Sequence, residues 1–124
     1  MSDFTFKKSE RLCSKKAFDF LFEKGSSYFA YPLKAVYSFN EIDSHNIQIA
    51  FTASKRNFKK AVSRNKIKRL LREIYRKNKH LLNNRKNFNY LQIVIIYTSK
   101  EILPYAVLEI SLLKIMNELA SRSK

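Results

Sequence analysis

The side chains in this chain best suited to chemistry are cations, and the chemistry is charge neutralisation. Between Lys55 and Lys86 stand fourteen lysines and arginines against one acid, Glu73. The full 124 residues carry a formal charge of +15, and outside the run eleven bases face nine acids. Charge concentrated in this way favours a polyanion, because each phosphate it contacts releases condensed counterions. Reacting groups are scarce by comparison. Cys13 stands alone, which excludes an internal disulfide and a multi-cysteine zinc site and suits a reduced compartment. His80 lies near the end of the basic helix with no Cys or carboxylate at ligand spacing. His45 shares a polar segment with Glu41 and Asp43, a composition that reads as a solvated turn. There is no glycine-rich phosphate loop and no nucleophile elbow. No catalytic residue and no metal ligand is therefore assigned. If the chain takes part in catalysis, the reacting groups belong to something else.

The elements that must carry these cations follow from periodicity. Hydrophobic residues make up 45% and aromatics 14%, too much for a disordered basic tail, and a chain of this length suits one core. Residues 1–13 read as an N-terminal arm and 14–121 as one domain that carries the basic run. Ser14 can cap a first helix running to about Lys24, with Gly25 placed to end it. Two period-two strands follow, Leu33 to Phe39 and Ile47 to Ser54, and their polar connection predicts an antiparallel pair. From Ala61 a helical stripe of Ile67, Leu70, Leu71 and Ile74 opposes Asn65, Lys68, Arg69, Arg72 and Arg76, which share roughly 100° of arc. Tyr90 to Thr98 is a nearly continuous apolar strand, expected to be central. Pro104 opens a last helix with Leu108, Leu112, Ile115 and Leu119 inward. The order αββαβα predicts a two-layer α+β domain. No apolar segment has the length of a signal peptide or a membrane span, so the expectation is a cytoplasmic protein.

The basic helix can be a solvated face, but like-charge pairs such as Lys68/Arg72 cost stability unless a polyanion relieves them. Asn65 adds an amide able to meet a base edge or a ribose hydroxyl. On the first helix Phe18 and Phe22, four residues apart beside Lys15, form either core or a stacking platform for unpaired bases. A general RNA-binding or ribosome-associated protein has the same electrostatics. A DNA-binding regulator fits less well, because a strand rather than a helix precedes the basic helix.

Ser54-Lys55-Arg56, then Ala61-Val62-Ser63-Arg64-Asn65-Lys66-Ile67-Lys68-Arg69 and Leu70-Leu71-Arg72-Glu73, resembles the signature of the bacterial ribonuclease P protein component. The resemblance extends over essentially the whole chain after the arm. It implies the ribosomal protein S5 domain 2-like fold with a left-handed βαβ crossover. It also implies a protein subunit that assists a catalytic RNA in removing the 5′ leader of precursor tRNA, with Mg2+ held mainly by that RNA. The implied partners are the ribonuclease P RNA subunit and precursor tRNA, with no membrane and no DNA. Arg64, Asn65, Lys66, Lys68, Arg69, Arg72 and Arg76 match its RNA-facing helix, and Lys55 and Arg56 its loop. Lys15, Phe18, Phe22 and Tyr37 match the wall of its leader-binding cleft. Two departures stand out. Lys66 replaces the second arginine of the arginine-asparagine-arginine motif, losing a planar fork. The loop Arg56-Asn57-Phe58-Lys59-Lys60 lacks the glycine common there.

Overall fold

A computed structural model of the chain describes residues 15–40, 47–83 and 90–121. The expected arm, Ser14, Cys13 and the His45 segment lie outside the described residues. In chain order the elements are α1 (Lys15–Lys24), β1 (Ser26–Ala30), β2 (Leu33–Asn40), β3 (Ile47–Ala53), α2 (Ala61–Asn78), α3 (His80–Asn83), β4 (Tyr90–Tyr97) and α4 (Tyr105–Ser121). The class is α+β, with two additions to the expected order. The short α3 extends the basic helix and buries Leu82. The strand β1 is the sequence Ser-Ser-Tyr-Phe-Ala, whose two serines and adjacent rings, Tyr28 half-buried and Phe29 exposed, hide its period. As an edge strand pairing on one side only, β1 needs little apolar alternation.

The four strands lie in the order β1-β2-β4-β3. β4 is central, as its apolar character on both faces requires. It runs antiparallel to β2 (Tyr37 opposite Ile93) and parallel to β3 (Ile49 opposite Ile93). The expected β2–β3 pair is therefore corrected: the two strands run in opposite directions, but β4 is inserted between them. The physical reason is burial. Leu91–Ile96 is apolar on both faces, and only the middle of the sheet lies beneath α2 and α4 on one side and α1 on the other.

The two sheet faces have different covers. Leu33, Ala35, Ile49, Phe51, Ile93 and Ile95 meet Ile67, Leu71 and Ile74 of α2 and Leu108, Leu112, Ile115 and Leu119 of α4 in the main core. Each fully buried aliphatic there contributes about 1.5–3 kcal/mol of transfer free energy. On the other face, Leu21 of α1 is fully buried against Val36 and Val94, with Phe18, Ala50 and Ile96 packed around them. α1 thus rides on the opposite side of the sheet from α2.

Gly25 ends α1 for a steric reason. Its φ is not positive, so left-handed backbone plays no part. Its N–H donates to the Leu21 carbonyl at 2.8 Å. A Cβ here would sit 2.6 Å from Leu21 O, 3.0 Å from Val36 Cγ1 and 3.1 Å from Tyr37 O. The missing side chain is what lets α1 fold down onto β2.

Candidate nucleic-acid interface

Helix α2 buries Ile67, Leu71, Ile74 and Tyr75 and turns its cations outward. Asn65, Lys66, Arg69 and Arg72 are exposed and Lys68 is half-buried. Among the described residues, none of Lys66, Lys68, Arg69 and Arg72 has an ion-pair or hydrogen-bond partner. Arg76 differs. Its Nη2 lies 2.6 Å from Glu73 Oε2 and its Nε donates to Glu73 Oε1 at 3.2 Å, while Lys77 Nζ stands 3.7 Å from the same carboxylate. The hydrogen bond from Arg76 holds the Glu73 carboxyl below its ordinary range, partial desolvation opposing it. Uncompensated charge is therefore concentrated in the first three turns, and Arg76, expected on the RNA-facing surface, is already paired.

The segment before α2 adds to that end. Lys55, Arg56, Lys59 and Lys60 are all exposed. The helix begins after Lys60 without a side-chain cap and without an acid in its first turn, so its free N–H groups reinforce the positive field. A glycine-free loop reaches this geometry through several ties. Arg56 N–H donates to Ser54 Oγ at 2.9 Å, Phe58 N–H donates to Ser54 O at 3.0 Å, and Asn57 Nδ2 reaches Thr98 O at 3.4 Å. The Phe58 ring is buried, its centroid 5.8 Å from that of Tyr97. Arg64 closes the loop from the helix side. Its Nη1 donates to Phe58 O at 2.7 Å and to Lys59 O at 3.1 Å. Arg64, expected among the RNA contacts, thus braces the loop that carries four other cations.

The aromatic surface lies across the sheet. Phe18 is half-buried and Phe22 is 57% exposed, with ring centroids 6.4 Å apart and planes 20° from parallel. Lys15 is exposed and its Nζ is 3.8 Å from Asp19 Oδ2, a surface pair of little energetic weight. Tyr37 is corrected out of this wall. It is 4% exposed and belongs to the main core, on the face covered by α2 and α4. Alternation explains the difference: Tyr37 shares parity with Leu33 and Ala35, whereas Lys34, Val36 and Ser38 face α1. Lys34, exposed on that face, escaped the sequence reading, as did Lys59 and Lys60; strand parity and position in the charged run are the signals that could have found them.

A family model described as Ribonuclease P matches residues 6–120. The ribonuclease P protein component of Porphyromonas gingivalis is 33% identical over 120 residues, covering 94% of this chain and 88% of its own length. The chain belongs to the ribonuclease P protein family. It is a protein subunit of the ribonuclease P holoenzyme, and this is favoured over the general RNA-binding alternative. Solved structures agree in fold. The RNase P protein from Thermotoga maritima superposes with a TM-score of 0.71 at 25% identity, covering 88% of this chain and 96% of its own. That of Staphylococcus aureus gives 0.72 at 24%, covering 90% and 96%. A ribonuclease P protein works with ribonuclease P RNA, and ribonuclease P is a metal-dependent ribonucleoprotein. The described residues hold no group of three or more His, Cys, Asp or Glu able to bind a metal ion. The surface facing outward from α2 is cationic and repels a divalent ion, so it does not fit a resident magnesium site. No described helix is long and apolar enough to cross a membrane.

Proposed function

We propose that this ribonuclease P protein docks the free face of α2 and its basic loop on the ribonuclease P RNA while α1 holds the single-stranded 5′ leader of precursor tRNA. The exposed, stacked Phe18–Phe22 pair on the sheet face opposite α2 carries the reading. Leu21 anchors α1 from beneath, so the rings are held without loss of loop entropy at binding. Asn65, Lys66, Lys68, Arg69 and Arg72, with Lys55, Arg56, Lys59 and Lys60, meet RNA phosphates. Such contacts bring substrate and ribozyme together and lower the repulsion that the RNA must overcome to order its magnesium ions. Mg2+ is bound by the RNA, and this chain contributes position and charge. The reading places the protein in the cytoplasm, where precursor tRNA is matured.

Phe22→Ala tests the leader assignment. Phe22 is exposed, so its loss leaves the small cluster under α1 intact, whereas Phe18→Ala also removes packing. Stacking on one base is worth about 1–3 kcal/mol, so the holoenzyme should bind leader-bearing precursor roughly 5-fold or more weakly. Mature tRNA, which has no leader, should be bound as before. Equal losses for the two RNAs would remove the leader from this surface.

A further inference from the structure

Two further rings stand in the open on β1 and its turn. Phe29 is 57% and Tyr31 61% exposed, with centroids 6.4 Å apart and planes 54° apart. Exposed aromatics of this size usually mark a contact surface. Their backbone is fastened on three sides. Ser111 Oγ donates to Tyr31 O at 2.7 Å, and Thr98 donates to Pro32 O from N at 2.8 Å and from Oγ1 at 2.9 Å. Ala30, between the two rings, is buried in the main core. The rings are thus presented by a rigid edge.

Strand register says which face Phe29 occupies. Phe29 is opposite Lys34, Lys34 opposite Ile96, and Ile96 opposite Thr52. Ile96 packs in the cluster under α1 to which Phe18 also belongs. One transverse row therefore runs from Phe29 at the sheet edge, past the exposed Lys34, to the floor beneath α1. It continues to Thr52, two residues before the basic loop begins at Ser54. The edge is the end of this row farthest from α2.

The geometry points to a second nucleotide-stacking subsite at Phe29 and Tyr31 for the part of the leader that extends past Phe18 and Phe22, away from the cleavage site. This rests on the leader reading above. The ligand is one unpaired base of single-stranded RNA, its phosphate beside Lys34. The 54° tilt rules out a closed sandwich between the rings, so a base stacks on the outer face of one of them. Such stacking tolerates any base, because each has a π face. Charge favours this occupant over a second copy of the chain pairing along β1, since two molecules of formal charge +15 repel each other.

The test uses reconstituted holoenzyme and a series of precursor tRNAs whose leaders lengthen stepwise. With the native protein, affinity should rise as the leader reaches Phe18 and Phe22, then rise again beyond it. The Phe29→Ala/Tyr31→Ala variant should lose the second rise, roughly 5-fold or more, and keep the first. Phe29→Leu preserves apolar bulk and strand character but lacks a flat face, so with Tyr31→Ala it should show the same loss; thermal melts verify that both variants fold. An unchanged second rise in either variant overturns the subsite. So does a native protein that sediments as a dimer which the substitutions dissociate. If the native protein shows no dependence on leader length at all, the leader reading itself fails, a result distinct from loss of the second rise alone.

Discussion

Arg64→Ala separates a brace from a direct RNA contact. In the structure Arg64 Nη1 donates to two backbone carbonyls, Phe58 O at 2.7 Å and Lys59 O at 3.1 Å. A hydrogen bond from a charged donor is worth about 1.5–3 kcal/mol when its acceptor is removed from water. Only the Phe58 carbonyl approaches that condition, because the Lys59 bond is exposed, and water replaces most of what is lost there. Truncation should therefore destabilise the protein by about 1–2 kcal/mol, a fall in melting temperature of roughly 3–10 °C for a domain of this size. The larger consequence is at the RNA. A single phosphate contact contributes about 0.7–0.9 to the slope of log K against log salt. If Arg64 only touched one phosphate, its removal would reduce the slope by that amount. If it braces the loop carrying Lys55, Arg56, Lys59 and Lys60, loosening two to four contacts lowers the slope by roughly 1.4–3.6. Binding to the RNA subunit across a potassium chloride series measures this, and amide exchange at Phe58 reports the loop directly. Cleavage of precursor tRNA at low magnesium should fall and be partly restored by more magnesium. A slope change of one contact or less, with Phe58 exchange unaltered, would refute the brace and return Arg64 to the RNA-facing surface. Arg64→Lys sharpens the comparison: it keeps the charge but loses the planar head, so a brace is impaired while a simple phosphate contact survives.

Other outcomes follow from the same structure. Gly25→Ala places a Cβ 2.6 Å from Leu21 O, a backbone atom that cannot swing away, so α1 must lift from β2. We expect a stability loss of about 1–3 kcal/mol, read by chemical denaturation, together with weaker leader binding; unchanged stability would show that the α1–β2 junction is loose. Glu73→Gln removes the carboxylate charge beside Arg76 and Lys77 and the only acid from the run, so RNA affinity should rise and its salt slope steepen; an unchanged slope would mean that this end of α2 does not reach RNA. Tyr97→Phe removes a hydroxyl that donates to Glu101 O and accepts Leu103 N–H at 2.9 Å. Burial raises the Tyr97 hydroxyl above its usual value. The protonated phenol is thus favoured by folding, its contribution is complete below about pH 10, and it is lost as pH climbs through the raised value. The stability gap between native protein and Tyr97→Phe should be constant at neutral pH and shrink only above that point; a gap that closes near neutrality would contradict the assignment.

Much of the fold is legible because strands and helices here bury one face each. Period two located β2 and β3, period 3.6 located α2 and α4, and all four inward positions expected on α4 are fully buried. The apolar run of β4 marked the central strand. Pairing was not legible, because the alternation of β2 and β3 says that each has a buried face without saying which neighbour supplies its hydrogen bonds. β1 was missed for a related reason: Ser26 and Ser27 remove the apolar signal, and an edge strand tolerates that. Gly25 was located correctly as a helix end, but the cause is its proximity to Val36 and the Tyr37 carbonyl, a tertiary contact that no local pattern encodes.

At the site, charge density was legible and charge commitment was not. Lys66, Arg69 and Arg72 behave as the run suggests, whereas Arg64 and Arg76 are held by a loop carbonyl and a carboxylate whose positions depend on the folded chain. Tyr37 is the more instructive case, because its misplacement was avoidable. Alternation along β2 puts Tyr37 with Leu33 and Ala35, and the structure buries all three in the main core. The same parity rule, applied strand by strand through the observed register, yields the entire opposite face: Ser27 and Phe29 on β1, Lys34, Val36 and Ser38 on β2, Gln92, Val94 and Ile96 on β4, Gln48, Ala50 and Thr52 on β3. Leu21 covers the middle of that face, against Val36 and Val94, and leaves the flanking rows for the proposed leader contacts. Because side-chain direction alternates strictly along a strand, a substitution at Val36 or Val94 should loosen the packing under α1, one at exposed Phe29 or Lys34 should change only the proposed leader surface, and one at an immediate neighbour of these positions should act on the main core.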